Sequence, residues 1–209
     1  MIRDGGRALP SLADPSALTL ATVERALAAC APRTIDGNGY HRAAVALCLR
    51  EAGGGLEVLL IHRAEHPEDR WSGHMALPGG RVEDDDRNPR AAAERETLEE
   101  VGVDLDRSGR HVGTLDEVQA MAKGRLLAMV ITPHVYHLTE PVTVRLDETE
   151  VQGYAWIPVA PMLRGEYDSE VEWRYGPAGV MLPCFQVGPH TIWGLTHRML
   201  TDFFGRLRA

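Results

Sequence analysis

The segment Arg95-Glu96-Thr97-Leu98-Glu99-Glu100-Val101-Gly102-Val103 constrains this chain more than any other. A helix is expected from Pro89, which suits a first turn, to Val101, with Gly102 as its stop. Within it Glu96, Glu99 and Glu100 stand at i, i+3 and i+4, so one helix face carries three carboxylates. Like charges at that spacing repel, and a divalent cation would remove the repulsion. Mg²⁺ suits such a site because it prefers hard oxygen ligands and keeps waters for phosphates. Leu98 and Val101 are expected to anchor the helix in the core, and Arg95 to hold a glutamate by a charge-assisted hydrogen bond.

An acidic helix face is also what ordinary solvated helices show. Here, however, Leu77-Pro78-Gly79-Gly80-Arg81-Val82-Glu83 lies directly upstream. A glycine pair lets the backbone approach a ligand and exposes its carbonyl oxygens. A glycine turn leading into an acidic helix can build one metal site from both ends.

The rest of the chain reads as strands interleaved with helices. Ser16 is a candidate cap for a helix from Leu18 to Ala29, whose stripe is Leu20, Val23 and Leu27. Ala43–Leu49 and Leu56–His62 read as a hairpin around Gly53-Gly54-Gly55, and 66–73 as a polar loop. Ala76–Gly80 is a short strand ending in the glycine turn. Further strands are expected at His111–Asp116, Leu126–His137, Glu150–Ile157 and Leu182–Val187. Pro158–Leu163 reads as a helical turn, 164–180 as a polar excursion, and Trp193–Arg206 as the last helix. Interleaved elements of both kinds favour an α/β domain with helices over a mixed sheet. Residues 1–39 read as an N-terminal extension with one helix, and 40–209 as the main domain.

Charge narrows the function. Thirty acidic against 22 basic residues give a net −8, which argues against a protein that coats nucleic acid. A single nucleotide remains open, because one basic cluster or a metal can bind its phosphates. Cys30, Cys48 and Cys184 form no C-x-x-C pair, so no zinc knuckle is supported and a reducing cytoplasm is expected. No leader or membrane span is read from the sequence.

The motif residues resemble the Nudix hydrolase family. Gly80 is followed by five residues and then Asp86, where the family has Glu; eight residues, one more than in the family, precede Arg95. Thr97 takes an apolar position, and the Arg-Glu…Glu-Glu…Gly half is intact. Asp86, the extra residue and the tail Ile192-Trp193-Gly194-Leu195-Thr196 are similar to the branch that contains coenzyme A pyrophosphatases. Trp71 departs from that branch, which carries His there.

The resemblance implies an α/β/α sandwich with a mixed sheet and metal-dependent hydrolysis of a nucleoside diphosphate derivative, coenzyme A or its thioesters. ADP-ribose or another nucleotide sugar is the alternative substrate, and a non-catalytic nucleotide sensor the alternative class. It also implies Mg²⁺ or Mn²⁺ on Glu96, Glu99, Glu100 and the Gly79 carbonyl. The catalytic set is Glu99, Glu150 and Arg95, with Glu117 a further candidate base. Arg63, Arg81 and Arg125 are expected to meet substrate phosphates, with Lys123 beside them, and Trp71 and His74 to meet a base. Trp193, Met199, Phe203 and Phe204 read as packing, and a homodimer through the N-terminal helix or the tail is open.

Overall fold

A computed structural model describes residues 18–66, 71–122, 124–175 and 178–209. The Ser16 cap and Lys123 lie outside the described residues. The elements in chain order are α1 (Leu20–Ala28), β1 (His41–Ala52), β2 (Gly55–Arg63), β3 (Met75–Ala76), β4 (Gly79–Arg81), α2 (Pro89–Val101), α3 (Leu105–Ser108), β5 (Gly109–Thr114), β6 (Val118–Ala122), β7 (Arg125–Leu138), β8 (Val151–Pro158), α4 (Val159–Leu163), β9 (Asp168–Tyr175), β10 (Ala178–Val187), β11 (His190–Trp193) and α5 (Gly194–Arg208).

Eight strands form the main sheet, in the order β3-β2-β1-β7-β5, with β4 added to β1, β6 to β7 and β8 to β2. The central pair β1 and β7 is parallel and the other pairings are antiparallel, so the sheet is mixed, as expected. The period of two in β1 divides the core. Ala43, Val45, Leu47 and Leu49 face a cluster that includes Phe203 and Phe204 of α5. Ala44, Ala46 and Cys48 face Ala92, Ala93 and Val101 of α2 on the other side. This is the α/β sandwich that the sequence suggested. Burial in it pushes the Cys48 thiol up to about 12, which leaves it inert.

α2 keeps the bounds read from the sequence. The Asn88 side chain caps it by accepting from the Ala91 N–H at 3.0 Å. Gly102 ends it with φ 67°, where a side chain would be strained. The buried stripe is Ala93, Thr97 and Val101, spaced by four. Leu98 is 49% exposed, so it does not anchor the helix. It lies about 100° around the helix from Thr97. Thr97 takes the core position and satisfies its hydroxyl by donating to the Ala93 carbonyl at 2.6 Å.

Two further expectations are corrected. α1 starts at Leu20, with Thr19 as its cap, rather than at Leu18. The polar excursion at 164–180 contains β9 and the start of β10, which form a separate antiparallel sheet with β11. β9 reads Asp-Ser-Glu-Val-Glu-Trp-Arg-Tyr, and its charges hide the strand period from a reading based on apolar residues. α3, β6 and β11 were not read from the sequence.

The segment after α1 is strapped to the domain. Asp116 accepts from the Arg33 N–H at 2.8 Å and from the Arg33 and Arg206 guanidinium groups. The apolar faces of α1 and α5 are used inside the chain: Val23, Leu27, Met199, Phe203 and Phe204 are all buried. No helix among the described residues is long and apolar enough to cross a membrane.

Candidate active site

The site lies where β4, α2 and the start of β8 meet. β4 pairs with β1, Gly79 opposite Val45 and Gly80 opposite Ala44, and this brings the glycine pair under α2. Gly79 has φ 146°, and a Cβ there would lie 2.3 Å from the Ala44 carbonyl oxygen. A Cβ at Gly80 would lie 2.3 Å from a carboxylate oxygen of Glu96. Both glycines are therefore required for close approach, Gly79 to backbone and Gly80 to an acidic side chain.

Carboxylates of Glu96, Glu100 and Glu150 converge, each offering an oxygen within 4.8 Å of the other two. Glu96 and Glu100 are one helical turn apart and project together. Glu150 arrives from the turn before β8, its carbonyl accepting from the Ala64 N–H at 2.7 Å. Glu99 stands outside this trio, with a side chain 57% exposed, and accepts from the same Arg95 Nη1 that donates to Glu96, at 3.0 Å. The converging trio thus contains Glu150 where the helical spacing suggested Glu99.

Arg95 organises the acids around it. Its guanidinium donates to Asp86 at 3.2 and 3.0 Å, to Glu96 and Glu99 at 3.0 Å, and to the Arg81 carbonyl at 3.0 Å. Asp86 also accepts from the Glu83 N–H at 2.8 Å. The hydrogen bond from Arg95 holds the Asp86 carboxyl below its usual range. Asp86 therefore works through Arg95 and is not in the converging trio. Glu117 is held elsewhere: it accepts from the Ile35 N–H, Arg42 and the Thr132 hydroxyl, outside the converging trio.

Glu100 is 1% exposed. Burial pushes its carboxyl from 4.5 up to about 8, against the Gly79 N–H, which donates to it at 2.9 Å, and Arg63, whose Nη1 lies 3.6 Å away. Burial also raises Glu96, against the pull of Arg95. Three clustered hard-oxygen donors, one of them almost fully buried, fit a divalent cation.

This has a consequence for stability. A carboxyl raised in the folded state stabilises the fold when protonated, and that contribution is lost as pH rises from 4.5 through about 8. A cation that binds the ionised form reverses the loss. Mg²⁺ or Mn²⁺ is therefore expected to raise the melting temperature more above pH 8 than below pH 6. A metal-induced shift that is independent of pH would contradict this.

A cavity of about 330 Å³ runs from the carboxylates along the sheet. Arg63, Arg81, Trp71 and His74, which the sequence reading singled out, line it together with Gly79, Glu96, Glu100 and Glu150. Arg125 does not line it. Arg125 sits at the exposed start of β7, four residues before Met129, which does line it, or roughly 13 Å along the strand. Met129, Ile131, Trp193, Leu195, Thr196 and Met199 line the cavity too. The sequence reading took Trp193 and Met199 as packing and used Leu195 and Thr196 only for the resemblance of the tail, because no motif spacing ties the tail to the glycine turn.

The NUDIX domain family matches residues 39–174, more than half of the chain. The chain belongs to this family. The chain is 33% identical over 133 residues to a peroxisomal coenzyme A diphosphatase of Caenorhabditis elegans, a match that takes in 63% of this chain and 54% of that one. To a mitochondrial coenzyme A diphosphatase of Homo sapiens it is 29% identical over 171 residues, 80% of this chain and 69% of the relative. To an uncharacterized protein of Schizosaccharomyces pombe it is 42% identical over 117 residues, 55% of this chain and 36% of the relative. The chain thus spans only about a third to a half of the length of two of these relatives. A crystal structure of a MutT/nudix family protein from Enterococcus faecalis superimposes with a TM-score of 0.53 at 16% identity. That match covers 81% of this chain and 62% of the other, and shows the fold alone.

Proposed function

We propose that this protein is a divalent-metal-dependent pyrophosphohydrolase that splits coenzyme A or its thioesters into 3′,5′-ADP and a phosphopantetheine. The observation that carries the hydrolytic reading is the convergence of Glu96, Glu100 and Glu150 beside Gly79 and Gly80. The names of the two diphosphatase relatives support the coenzyme A reading. Three free cysteines among the described residues support a reducing compartment, for which the cytoplasm is proposed.

Glu96, Glu100 and Glu150 would hold Mg²⁺ or Mn²⁺, with the Gly79 carbonyl as a further proposed ligand. Bound there, the cation would screen the diphosphate and make a bound water more acidic. Arg63 and Arg81, at the rim of the same cavity, would bind and orient phosphate oxygens. Glu150 and Glu99 are the proposed bases. Glu150 is exposed, and the carboxylate oxygen that it does not offer to the cation would take a proton from the attacking water. Arg95 positions Glu96, since one guanidinium nitrogen donates to both Glu96 and Glu99.

Glu99→Gln is expected to lower hydrolysis by about tenfold or more with the fold kept, because an anion beside the metal ligands is lost. Turnover at the parent rate would remove Glu99 from the mechanism. The substrate is tested with a panel of coenzyme A, acyl-coenzyme A, ADP-ribose, NADH and deoxynucleoside triphosphates in Mn²⁺. Release of 3′,5′-ADP is expected. Release of AMP from ADP-ribose, with coenzyme A untouched, would replace the proposal with a nucleotide-sugar hydrolase.

A further inference from the structure

We propose that Asp147 and Gln152 are positioning residues, two clamps that hold Glu150 in the converging trio. This deepens the proposed hydrolysis and rests on the reading of Glu150 as a metal ligand or base.

The first clamp is the turn Asp147-Glu148-Thr149-Glu150. The Asp147 carbonyl accepts from the Glu150 N–H at 3.0 Å and from the Val151 N–H at 2.8 Å. One oxygen of its side chain accepts from the Thr149 N–H at 2.9 Å and from the Thr149 hydroxyl at 2.6 Å. An aspartate bonded in this way imitates backbone and fixes the shape of a turn. The turn itself hangs on α2. The Asp147 N–H donates to the Glu100 carbonyl at 3.1 Å, and the Arg145 N–H to the Val101 carbonyl at 2.8 Å. Both carbonyls belong to the last turn of the helix, where no helical partner is left for them. Asp147 thus ties the backbone of one acid of the trio to that of another.

Gln152 works from the opposite side. In the ladder of β8 with β2, Val151 stands opposite Arg63 and Gly153 opposite His62, so Gln152 is an extra residue. A bulge of this kind bends its strand and re-aims the neighbouring side chains. The Gln152 side-chain amide donates to the Arg63 carbonyl at 2.9 Å and lies 3.1 Å from His62 Nε2. Next to it the Ala64 N–H donates to the Glu150 carbonyl at 2.7 Å. Gln152 therefore closes the bulge between Glu150 and Arg63, whose guanidinium faces Glu100 at 3.6 Å.

Asp147 and Gln152 are both exposed, so the core does not depend on them. Glu150 is exposed as well, and it must stay beside Glu96 and Glu100 against the repulsion of like charge. Only a stiff backbone keeps an acid there, and the two clamps stiffen it before and after Glu150.

The test compares Asp147→Ala and Gln152→Leu with the parent as full chains. The readouts are kinetics in Mn²⁺ and calorimetric titration of metal-free protein with Mn²⁺. Among coenzyme A, acyl-coenzyme A, ADP-ribose, NADH and deoxynucleoside triphosphates, the one that the parent hydrolyses fastest serves as substrate. Each variant is expected to lose about tenfold or more in kcat and in Mn²⁺ affinity, with a melting temperature near the parent's. Asp147→Asn keeps the oxygen that Thr149 needs and is expected to behave like the parent. The decisive readout repeats Asp147→Ala and Gln152→Leu in a Glu150→Gln background. There a residue that acts through Glu150 has little left to lose, and each change is expected to cost about twofold or less. The same tenfold loss in both backgrounds would mark a general structural role and overturn the proposal. Turnover and Mn²⁺ binding like the parent's in both single variants would overturn it too. Glu150→Gln alone separates the clamps from the reading beneath them: if it matches the parent, the role of Glu150 falls and the clamps fall with it. Should the parent hydrolyse none of these substrates, the Mn²⁺ titrations decide the clamps, and only the proposed activity falls.

Discussion

Glu100→Gln is expected to lower kcat/KM on a diphosphate substrate by about a thousandfold while leaving the metal-free fold at least as stable as the parent. The two effects have one origin. Glu100 is almost completely buried, and its burial opposes the charge that a metal ligand must carry. Glutamine keeps the shape and still offers an oxygen to the Gly79 N–H, so the backbone contact at 2.9 Å survives. What disappears is the anion that the cation requires. Steady-state kinetics in Mn²⁺ and thermal melts without metal, on either side of pH 8, measure both. Turnover near the parent rate would remove Glu100 from the metal site. A marked loss of metal-free stability would show that its charge is structural.

The two neighbouring glycines are expected to fail in different ways. In Gly79→Ala the new methyl meets the Ala44 carbonyl oxygen and the Val45 Cα, at 2.3 and 2.5 Å, and the backbone φ of 146° suits no L side chain. Backbone cannot swing aside, and β4 must part from β1. A loss of about 3 kcal/mol in stability is expected, read by chemical denaturation. In Gly80→Ala the three atoms nearest the methyl all belong to the Glu96 carboxylate, which can rotate away. That protein is expected to fold, with a melting temperature near the parent's, and to lose most of its hydrolysis and metal binding. Equal stability losses in the two variants would contradict this division.

Much of this was legible beforehand. Pro89, the Glu triplet and Gly102 gave the bounds of α2 because caps and breakers act locally. The sheet could be anticipated from Ala43–Leu49 and Leu56–His62, whose apolar runs have no other stable use. Leu98 was misjudged because the phase of a helix against its sheet depends on packing. Chemical type alone would have buried the leucine. Glu150 was singled out as a candidate base from the resemblance, but its approach to Glu96 and Glu100 depends on pairing of β8 with β2, which local sequence does not encode. The tail's part in the cleft was hidden for the same reason: Trp193 reaches it only because β11 and α5 pack beside β3. Arg125 shows the converse, a basic residue near the right strand that the register leaves outside the cavity.

The most direct measurement is a crystal grown with Mn²⁺ and recorded at a wavelength where manganese scatters anomalously. The expected result is an anomalous peak bonded to carboxylate oxygens of Glu96, Glu100 and Glu150 beside Gly79. Saturating Mn²⁺ with no peak there, those three side chains turned into solvent, would contradict the metal-dependent hydrolysis on which the proposed activity stands.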